Sequence, residues 1–412
     1  MRITFITGCL PPGKSGVGDY VIDLARECSK RGNECQIIGL NDDFVDTVVS
    51  GEPPRTPNST SIEFKYPPTV DCLRTPSLMP WKQRMEIVRD RVEEFDADWI
   101  SIQFVCYGYQ RKGVVWGLAN RLKNLCGNKK VHLMFHELWI GEARGSTLKH
   151  RTVGSIQRLL VIDLVYKLRP DIVHANCSTY VEILRRNGIT AERLPLFGSI
   201  PIAEDNADQW LLPTLTQSGL PISQQPRSDF WLFGMFGSLH PEWRAEPLFS
   251  HIIKAAGMAQ KRAAIISIGR KGHAGEQLWH ELTLRYRNSL HFLELGEQPS
   301  QKVSEAFLSL DFGLAATPAE LIGKSASATA MLEHGLPVIV PRDDYCLEPP
   351  FESVELNNPM LIRVTPTLAK DLVGIKRNLT GSSREAITNQ FLSSLGMQQT
   401  HEKLNEFQHS RL

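Results

Sequence analysis

The chain has 412 residues, of which 42% are hydrophobic and 22% charged, so it is long enough for two domains with substantial cores. Its 46 basic and 45 acidic residues give a formal net charge of +1, which argues against nucleic acid as a partner. The eight cysteines are scattered without paired spacing, which disfavours a disulfide framework or a cysteine metal site. No signal-peptide pattern and no bilayer-spanning apolar run is present, so we expect a cytoplasmic protein.

Short β-rich segments alternate with helical patterns along most of the sequence. The strand candidates of the first half are, in chain order, RITFIT, CQIIGL, DWISIQF, KVHLMF and DIVHAN. A stretch rich in proline, serine, threonine and glutamine interrupts the alternation, which restarts at FWLFGMF and continues to LPVIV. Such alternation is typical of βαβ units in a parallel sheet. It predicts an α/β protein with two tandem Rossmann-like, doubly wound domains that face a central cleft.

The breaks in this pattern give the predicted domain boundaries. They are 1–203 for the first domain, 204–228 for a linker, 229–385 for the second domain and 386–412 for a C-terminal helical segment. In doubly wound sheets, ligands bind beyond the carboxyl ends of the strands. The cleft between the two domains is therefore the expected binding site.

The first strand runs into GCLPPGKSGVGDY, and Gly8–Ser15 match the P-loop pattern G-x-x-x-x-G-K-[ST]. A P-loop nucleotide hydrolase is therefore one hypothesis for the function. Pro11 and Pro12 argue against it because proline has no N–H to offer a phosphate. Two glycines directly after the motif oppose helix initiation, so we expect the helix to begin at Asp19 or Tyr20. The nearest match to a magnesium-binding strand, RLLVID, has helical spacing.

Several segments resemble, in the family's order, the motifs of GT-B glycosyltransferases related to glycosyltransferase family 4. GKSGVGDYVIDLARECSKRGNECQIIGL resembles the opening loop, first helix and second strand, and MFHEL resembles the strand-then-histidine segment. LDFGLAATPAELIGKSASATAMLEHGLPVIV resembles the signature near the end of the second domain and is the most specific block. The matched blocks cover about 340 of the 412 residues.

This resemblance implies the transfer of a sugar from a nucleoside-diphosphate-sugar donor to an acceptor that the sequence does not identify. It also implies retention of the anomeric configuration and no need for a metal ion or other cofactor. In this family the first domain binds the acceptor and the second binds the donor. Negative charge grows on the diphosphate as the glycosidic bond breaks, and cationic side chains and helix N-termini can stabilise that charge.

Two first-domain features are candidates for the site. Gly16, Val17 and Gly18 are expected to form a loop at the cleft, where missing side chains let a ligand approach, although an ordinary tight turn is equally compatible. His136 follows the strand KVHLMF, and the matching family histidine contacts the donor sugar near the reacting carbon. The alternative for His136 is a solvated or capping histidine.

The second domain departs from the family in its diphosphate-binding positions. Gly237 and Ser238 match the expected turn, but Ser238 and Trp243 stand where the family carries an arginine and a lysine. Arg244, or Arg270-Lys271 in the segment IGRKG, could supply the missing charge. Each of these side chains could instead be an ordinary surface charge.

The block PAELIGKSASATAMLEHG also departs, because it lacks the two glutamates, eight residues apart, that many family members carry. Lys324 and Ser325 match a subgroup that places a basic residue and a hydroxyl before a helix. Ser325 can cap that helix while Lys324 adds charge, so both are predicted to bind the diphosphate. Glu320 is predicted near the sugar hydroxyls or the acceptor. His136, Lys324 and Glu320 are thus the predicted catalytic residues, and an ordinary capped helix is the alternative for Lys324 and Ser325.

The missing basic pair and ribose glutamate leave open a degenerate GT-B protein that binds a sugar without catalysis. The sequence also leaves open which acceptor the first domain binds. The basic segment GEARGSTLKHR precedes an amphipathic helix, which suggests weak contact with an anionic membrane, or else a solvated loop.

Overall fold

The structure is a computed structural model that describes residues 1–11, 16–53, 70–203, 208–217, 220 and 226–409. In these residues the chain forms two β-sheets, each covered by helices. The prediction of two α/β domains built on parallel sheets is confirmed.

The first sheet has eight strands in the order β3-β4-β2-β1-β5-β6-β7-β8. They are β1 (Arg2–Thr7), β2 (Glu34–Asp42), β3 (Val49–Gly51), β4 (Asp71–Pro76), β5 (Trp99–Phe104), β6 (Lys130–Phe135), β7 (Ile172–Ala175) and β8 (Glu192–Arg193). All pairings are parallel except that of β3 with β4. The helices of this half are α1 (Gly16–Lys30), α2 (Trp81–Phe95), α3 (Cys106–Tyr109), α4 (Leu118–Cys126), α5 (Leu148–Leu168) and α6 (Ser178–Arg186).

The second sheet has six parallel strands in the order β11-β10-β9-β12-β13-β14. They are β9 (Phe230–Phe236), β10 (Arg262–Ile268), β11 (His291–Gly296), β12 (Phe312–Leu314), β13 (Val338–Val340) and β14 (Leu361–Arg363). The helices are α7 (Asp208–Gln217), α8 (Leu248–Met258), α9 (His273–Tyr286), α10 (Ser300–Ser309), α11 (Ala326–Glu333), α12 (Leu368–Gly374) and α13 (Arg384–His409). Short 3₁₀ turns form at Arg227–Asp229, Ala319–Lys324 and Val354–Asn357.

Helices α7 and α13 refine the predicted organisation. Inside the predicted linker 204–228, α7 buries Leu211 and Leu215 in the core of the second half. Helix α13 returns to the first half, where Phe391 is fully buried and its ring centroid lies 5.9 Å from that of Phe5. The predicted boundaries themselves stay predictions. None of the described helices combines the length and apolar character needed to cross a bilayer.

The start of α1 corrects the sequence analysis. The helix begins at Gly16, so Gly16, Val17 and Gly18 form its first turn rather than a loop, and the expected start at Asp19 or Tyr20 is wrong. Tight packing explains why a glycine is needed here: a Cβ at Gly18 would lie 2.7 Å from the Cys9 carbonyl oxygen. Burial of the following apolar residues then outweighs the low helix propensity of glycine.

The early helix start removes one objection to a P-loop, but others remain. Residues 12–15 of the motif lie outside the described residues. The Leu10 N–H donates to the Asp42 carboxylate at 3.2 Å, and Arg74 pairs with that carboxylate at 2.8 Å. The turn therefore directs one of its N–H groups to a buried carboxylate instead of a phosphate. RLLVID lies in α5, so its aspartate does not end a strand, as the helical spacing predicted.

We expect the two glycines of the first α1 turn to respond oppositely to alanine. Gly18→Ala should lower the free energy of unfolding by about 1–3 kcal/mol, because the new methyl group collides with backbone. Gly16→Ala is the matched control: nothing in the described residues lies within 4 Å of its Cβ position, so it should be neutral or stabilise by up to about 1 kcal/mol. Urea denaturation measures both, and equal effects would contradict this packing.

Candidate active site

His136 follows β6 at the carboxyl edge of the first sheet. It is 4% exposed, and its ring meets that of Tyr20 edge-on, with centroids 5.2 Å apart. Its Nε2 lies 2.8 Å from Oε1 of Gln103, so Nε2 carries the proton and donates it to the amide oxygen. Burial lowers the pKa of His136 to about 3. The imidazole is therefore neutral near pH 7 and can orient a hydroxyl group without adding charge.

A chain of buried hydrogen bonds extends from His136 across three strands. The Gln103 amide nitrogen donates to Ser101 Oγ at 2.8 Å, and Ser101 Oγ lies 2.8 Å from Nδ1 of His132. His132 Nε2 then lies 3.0 Å from Nδ1 of His174. Burial lowers the pKa of His132 well below its usual value and that of His174 to about 4. These neutral groups fix the orientation of Gln103 and hence the proton position on His136.

Lys324, from the second half of the chain, lies next to the His136 segment. Its Nζ lies 3.1 Å from Oε1 of Glu137, the residue after His136, and 5.9 Å from the centre of the Tyr180 ring. Ser325 caps α11 as the sequence predicted, because its Oγ accepts the N–H of Ala328 at 3.2 Å. A lysine, a helix N-terminus and a neutral histidine are thus assembled from both halves of the chain.

Glu320 lies instead at the contact between the halves. Its carboxylate accepts the Ser353 N–H at 3.1 Å, and its carbonyl oxygen accepts the Thr179 hydroxyl. Burial raises the pKa of Glu320. No hydrogen bond within the described part of the chain joins Glu320 to His136 or Lys324.

A small cavity at the carboxyl ends of β9 and β10 contains the turn predicted to bind diphosphate. Gly237 and Ser238 line it together with Lys271 and Trp279. Gly237 has a φ of +84°, a conformation that favours glycine. Lys271 is 4% exposed, pairs with Glu294, and holds its Nζ 5.5 Å from the centre of the Trp279 ring. The cation in this cavity is therefore Lys271.

The other basic candidates do not line this cavity. Arg270 is exposed and pairs with Glu297 at 3.0 Å, outside the cavity. Arg244 is exposed, and no ion pair involves it in the described ranges. Trp243, in a family lysine position, is a core residue that is 2% exposed and donates its indole N–H to the Ala315 carbonyl at 3.1 Å. Because Trp243 is uncharged and buried, with its N–H already bonded, it cannot bind a diphosphate as a lysine would.

The sequence analysis missed two polar residues here besides Gln103. Arg342, after β13, is 7% exposed and pairs with Asp344 and Glu242. Asp19, in the first turn of α1, has its pKa raised to about 6 by burial and by the nearby Asp23 carboxylate. In the sequence, Arg342 and Asp19 are marked only as polar residues beside apolar segments, which many surface residues also are. No group of three or more His, Cys, Asp or Glu in the described portion is arranged to hold a metal ion.

Comparisons with solved structures cover nearly the whole chain. The structure of Anabaena HepE in complex with UDP and glucose is 14% identical with a TM-score of 0.54, covering 98% of this chain and 100% of that one. A trehalose 6-phosphate synthase from Burkholderia multivorans is 10% identical with a TM-score of 0.52, covering 96% and 95%. A candidate UDP-N-acetylglucosamine 2-epimerase from Listeria monocytogenes is 12% identical with a TM-score of 0.54, covering 97% of each chain.

No protein-family model matches the sequence, and no curated protein sequence does either. The structural likeness, at these identities, shows the fold: two parallel-sheet α/β domains arranged as in GT-B glycosyltransferase structures.

The buried histidines predict a pH-dependent stability. In the unfolded chain a histidine takes up a proton below about pH 6.5, whereas His132, His136 and His174 stay neutral in the folded protein until much lower pH. Their contribution is fully present above about pH 6.5 and falls as the pH drops, by up to about 1.4 kcal/mol per pH unit for each histidine. Urea denaturation between about pH 7.5 and 5.5 measures this slope.

His174→Leu removes one titrating group, so its slope should be shallower than that of the wild type. A free energy of unfolding that stays flat over this pH range would contradict the neutral, buried state of these rings.

Proposed function

We propose that this protein is a metal-independent, retaining glycosyltransferase, related to family 4, that moves a sugar from a nucleoside-diphosphate-sugar donor to an acceptor held by the first half. The observation that carries the proposal is the meeting of Lys324 and the capped N-terminus of α11 with the His136–Glu137 segment. One half contributes positive charge and the other a neutral hydrogen-bonding ring. We further propose a cytoplasmic location, because the cysteines of the described residues are thiols rather than disulfides.

The diphosphate leaving group binds at the N-terminus of α11. Backbone N–H groups of its first turn and the ammonium of Lys324 stabilise the charge that develops as the glycosidic bond breaks. Lys324 is 25% and Glu137 42% exposed, so their ion pair is weak and can be exchanged for a diphosphate. The nucleoside end of the donor extends toward the cavity at Gly237 and Lys271.

His136 orients the sugar. Because its Nε2 proton is held by Gln103, its Nδ1 is left as an acceptor for a sugar hydroxyl. With a pKa of about 3 the ring is a poor base near pH 7, so its role is to position the substrate. Glu320 shares the turn Ala319–Lys324 with Lys324, and we keep a role near the sugar hydroxyls or the acceptor for it as part of this proposal.

A uridine nucleotide is the first donor class to test, because the similar HepE was solved in complex with UDP-glucose. Wild-type protein should bind UDP, and Lys324→Ala should weaken binding about tenfold or more, since one direct ion pair to the diphosphate is lost. Isothermal titration with UDP, GDP and ADP measures this. Lys254→Ala on the exposed side of α8 is the matched control and should leave the affinity unchanged. Unchanged affinity in Lys324→Ala would remove Lys324 from the donor site.

The stereochemistry has its own test. With water as a surrogate acceptor, hydrolysis of the active donor should first release the sugar with the donor's anomeric configuration. Proton NMR recorded during the reaction measures which anomer appears first. Initial release of the opposite anomer would contradict retention. Absence of hydrolysis with every common nucleotide sugar, despite nucleotide binding, would favour the degenerate binding protein.

The P-loop alternative predicts different behaviour. ATP hydrolysis that disappears in Lys14→Ala would favour it over sugar transfer.

A further inference from the structure

Helix α5 presents an apolar face to solvent. Leu148 is 81% exposed, Leu159 64% and Tyr166 72%, and all three lie on the side opposite the buried face. Thr152 and Ser155 are exposed on the same side, and their hydroxyls donate to the helix carbonyls of Leu148 and Arg151. That buried face packs against the first-half core through the residues Gly154, Gln157, Val161, Leu164 and Leu168. Three large apolar side chains exposed in one row, on a helix whose other face is already buried, indicate a partner for the outer face.

The charges on α5 show what kind of partner fits. At 100° per residue, Leu148, Leu159 and Tyr166 fall within about 20° of one another around the helix. Basic residues border this stripe about 60–100° away on each side. They are Lys149 and Lys167 on one side, and Arg151, Arg158 and Arg169 (the C-cap) on the other.

The helix carries little opposing charge. Asp163 is its one acidic residue, and it pairs with Lys167 at 2.9 Å. Within Leu148–Leu168, four basic residues and one acidic residue leave a net charge of +3. Two copies of this face would repel each other. The row from Leu148 to Tyr166 is about 27 Å long and has cations along both borders. This pattern is complementary to the surface of an anionic bilayer, where phosphates lie above the acyl chains.

We propose that α5 docks this protein on the surface of a membrane that contains anionic phospholipid, with the helix axis in the plane of the interface. Leu148, Leu159 and Tyr166 enter the boundary between headgroups and acyl chains, while the flanking lysines and arginines contact phosphates. This proposal is independent of sugar transfer, since it rests on a surface outside the candidate active site.

The docking helix is rigidly joined to the site. A Cβ at Gly154 would lie 1.7 Å from the Ile140 carbonyl oxygen, and the Gln157 side chain accepts the Ile140 N–H at 3.1 Å. Ile140 lies four residues after His136. Docking through α5 would therefore hold the His136 edge of the cleft close to the bilayer.

The test is co-sedimentation of the full-length protein with vesicles of phosphatidylcholine alone or with about one third phosphatidylserine. We expect binding to the anionic vesicles, little binding to the neutral ones, and release as salt rises from about 0.1 M to 0.5 M. The double variant Leu159→Ser/Tyr166→Ser should bind at least about tenfold more weakly. Leu284→Ser, which removes a 53% exposed leucine from α9 in the second half, is the matched control and should bind like the wild type.

A second variant tests the charges separately. Arg151→Glu/Arg158→Glu should abolish the preference for anionic vesicles, and circular dichroism should show the helix content of both double variants unchanged. The proposal is overturned if the wild type fails to sediment with anionic vesicles, or if Leu159→Ser/Tyr166→Ser sediments equally well. It is also overturned if sedimentation velocity shows a dimer that this variant abolishes while vesicle binding is absent, because the occupant is then a second copy.

Discussion

The candidate site depends on how the turn Ala319–Lys324 is held between the two halves of the chain. The Glu355 carboxylate accepts the Ser178 N–H at 2.9 Å, the Ser353 hydroxyl at 2.5 Å and the Arg193 guanidinium at 2.8 Å. Burial alone would raise the pKa of Glu355, but hydrogen bonds from Ser178 and Ser353 outweigh it and lower the pKa. An ionised carboxylate at the N-terminus of α6 thus joins both halves directly beside the turn.

This arrangement separates fixed from exchangeable charges. The Glu355 carboxylate is largely buried and held by several hydrogen bonds, and the rings and side chains from His136 to His174 are buried and hydrogen-bonded to one another, so these groups set the geometry. The Lys324–Glu137 pair is partly exposed and of low strength, so it can open when a more highly charged partner arrives. A site that binds a diphosphate needs both properties: a rigid frame that places the helix N-terminus, and a cation that is free to change partner.

Local patterns in the sequence were enough for the fold and for part of the site. Alternating apolar segments predicted two parallel-sheet domains, and strand-end position picked out His136. A hydroxyl before a small-residue helix predicted the Ser325 cap. Each of these depends on residues a few positions apart.

The missed features depend on distant residues. Gln103 matters because it meets His136, which follows the neighbouring strand β6, and the register between β5 and β6 decides that contact. The sequence offered both Arg270 and Lys271, and Lys271 occupies the cavity because it packs there between Glu294 of β11 and Trp279 of α9. The start of α1 at Gly16 follows from packing against Cys9, which outweighs local propensity. Tertiary contacts therefore determine these three features, and local sequence propensity does not predict them.

The most direct test of the central claim is a crystal structure of the protein with bound UDP. The account predicts the diphosphate at the N-terminus of α11, with Lys324 Nζ turned from Glu137 to a phosphate oxygen and the uridine near Gly237. Nucleotide enclosed by the Gly8–Ser15 backbone, with nothing between the two halves, would contradict it.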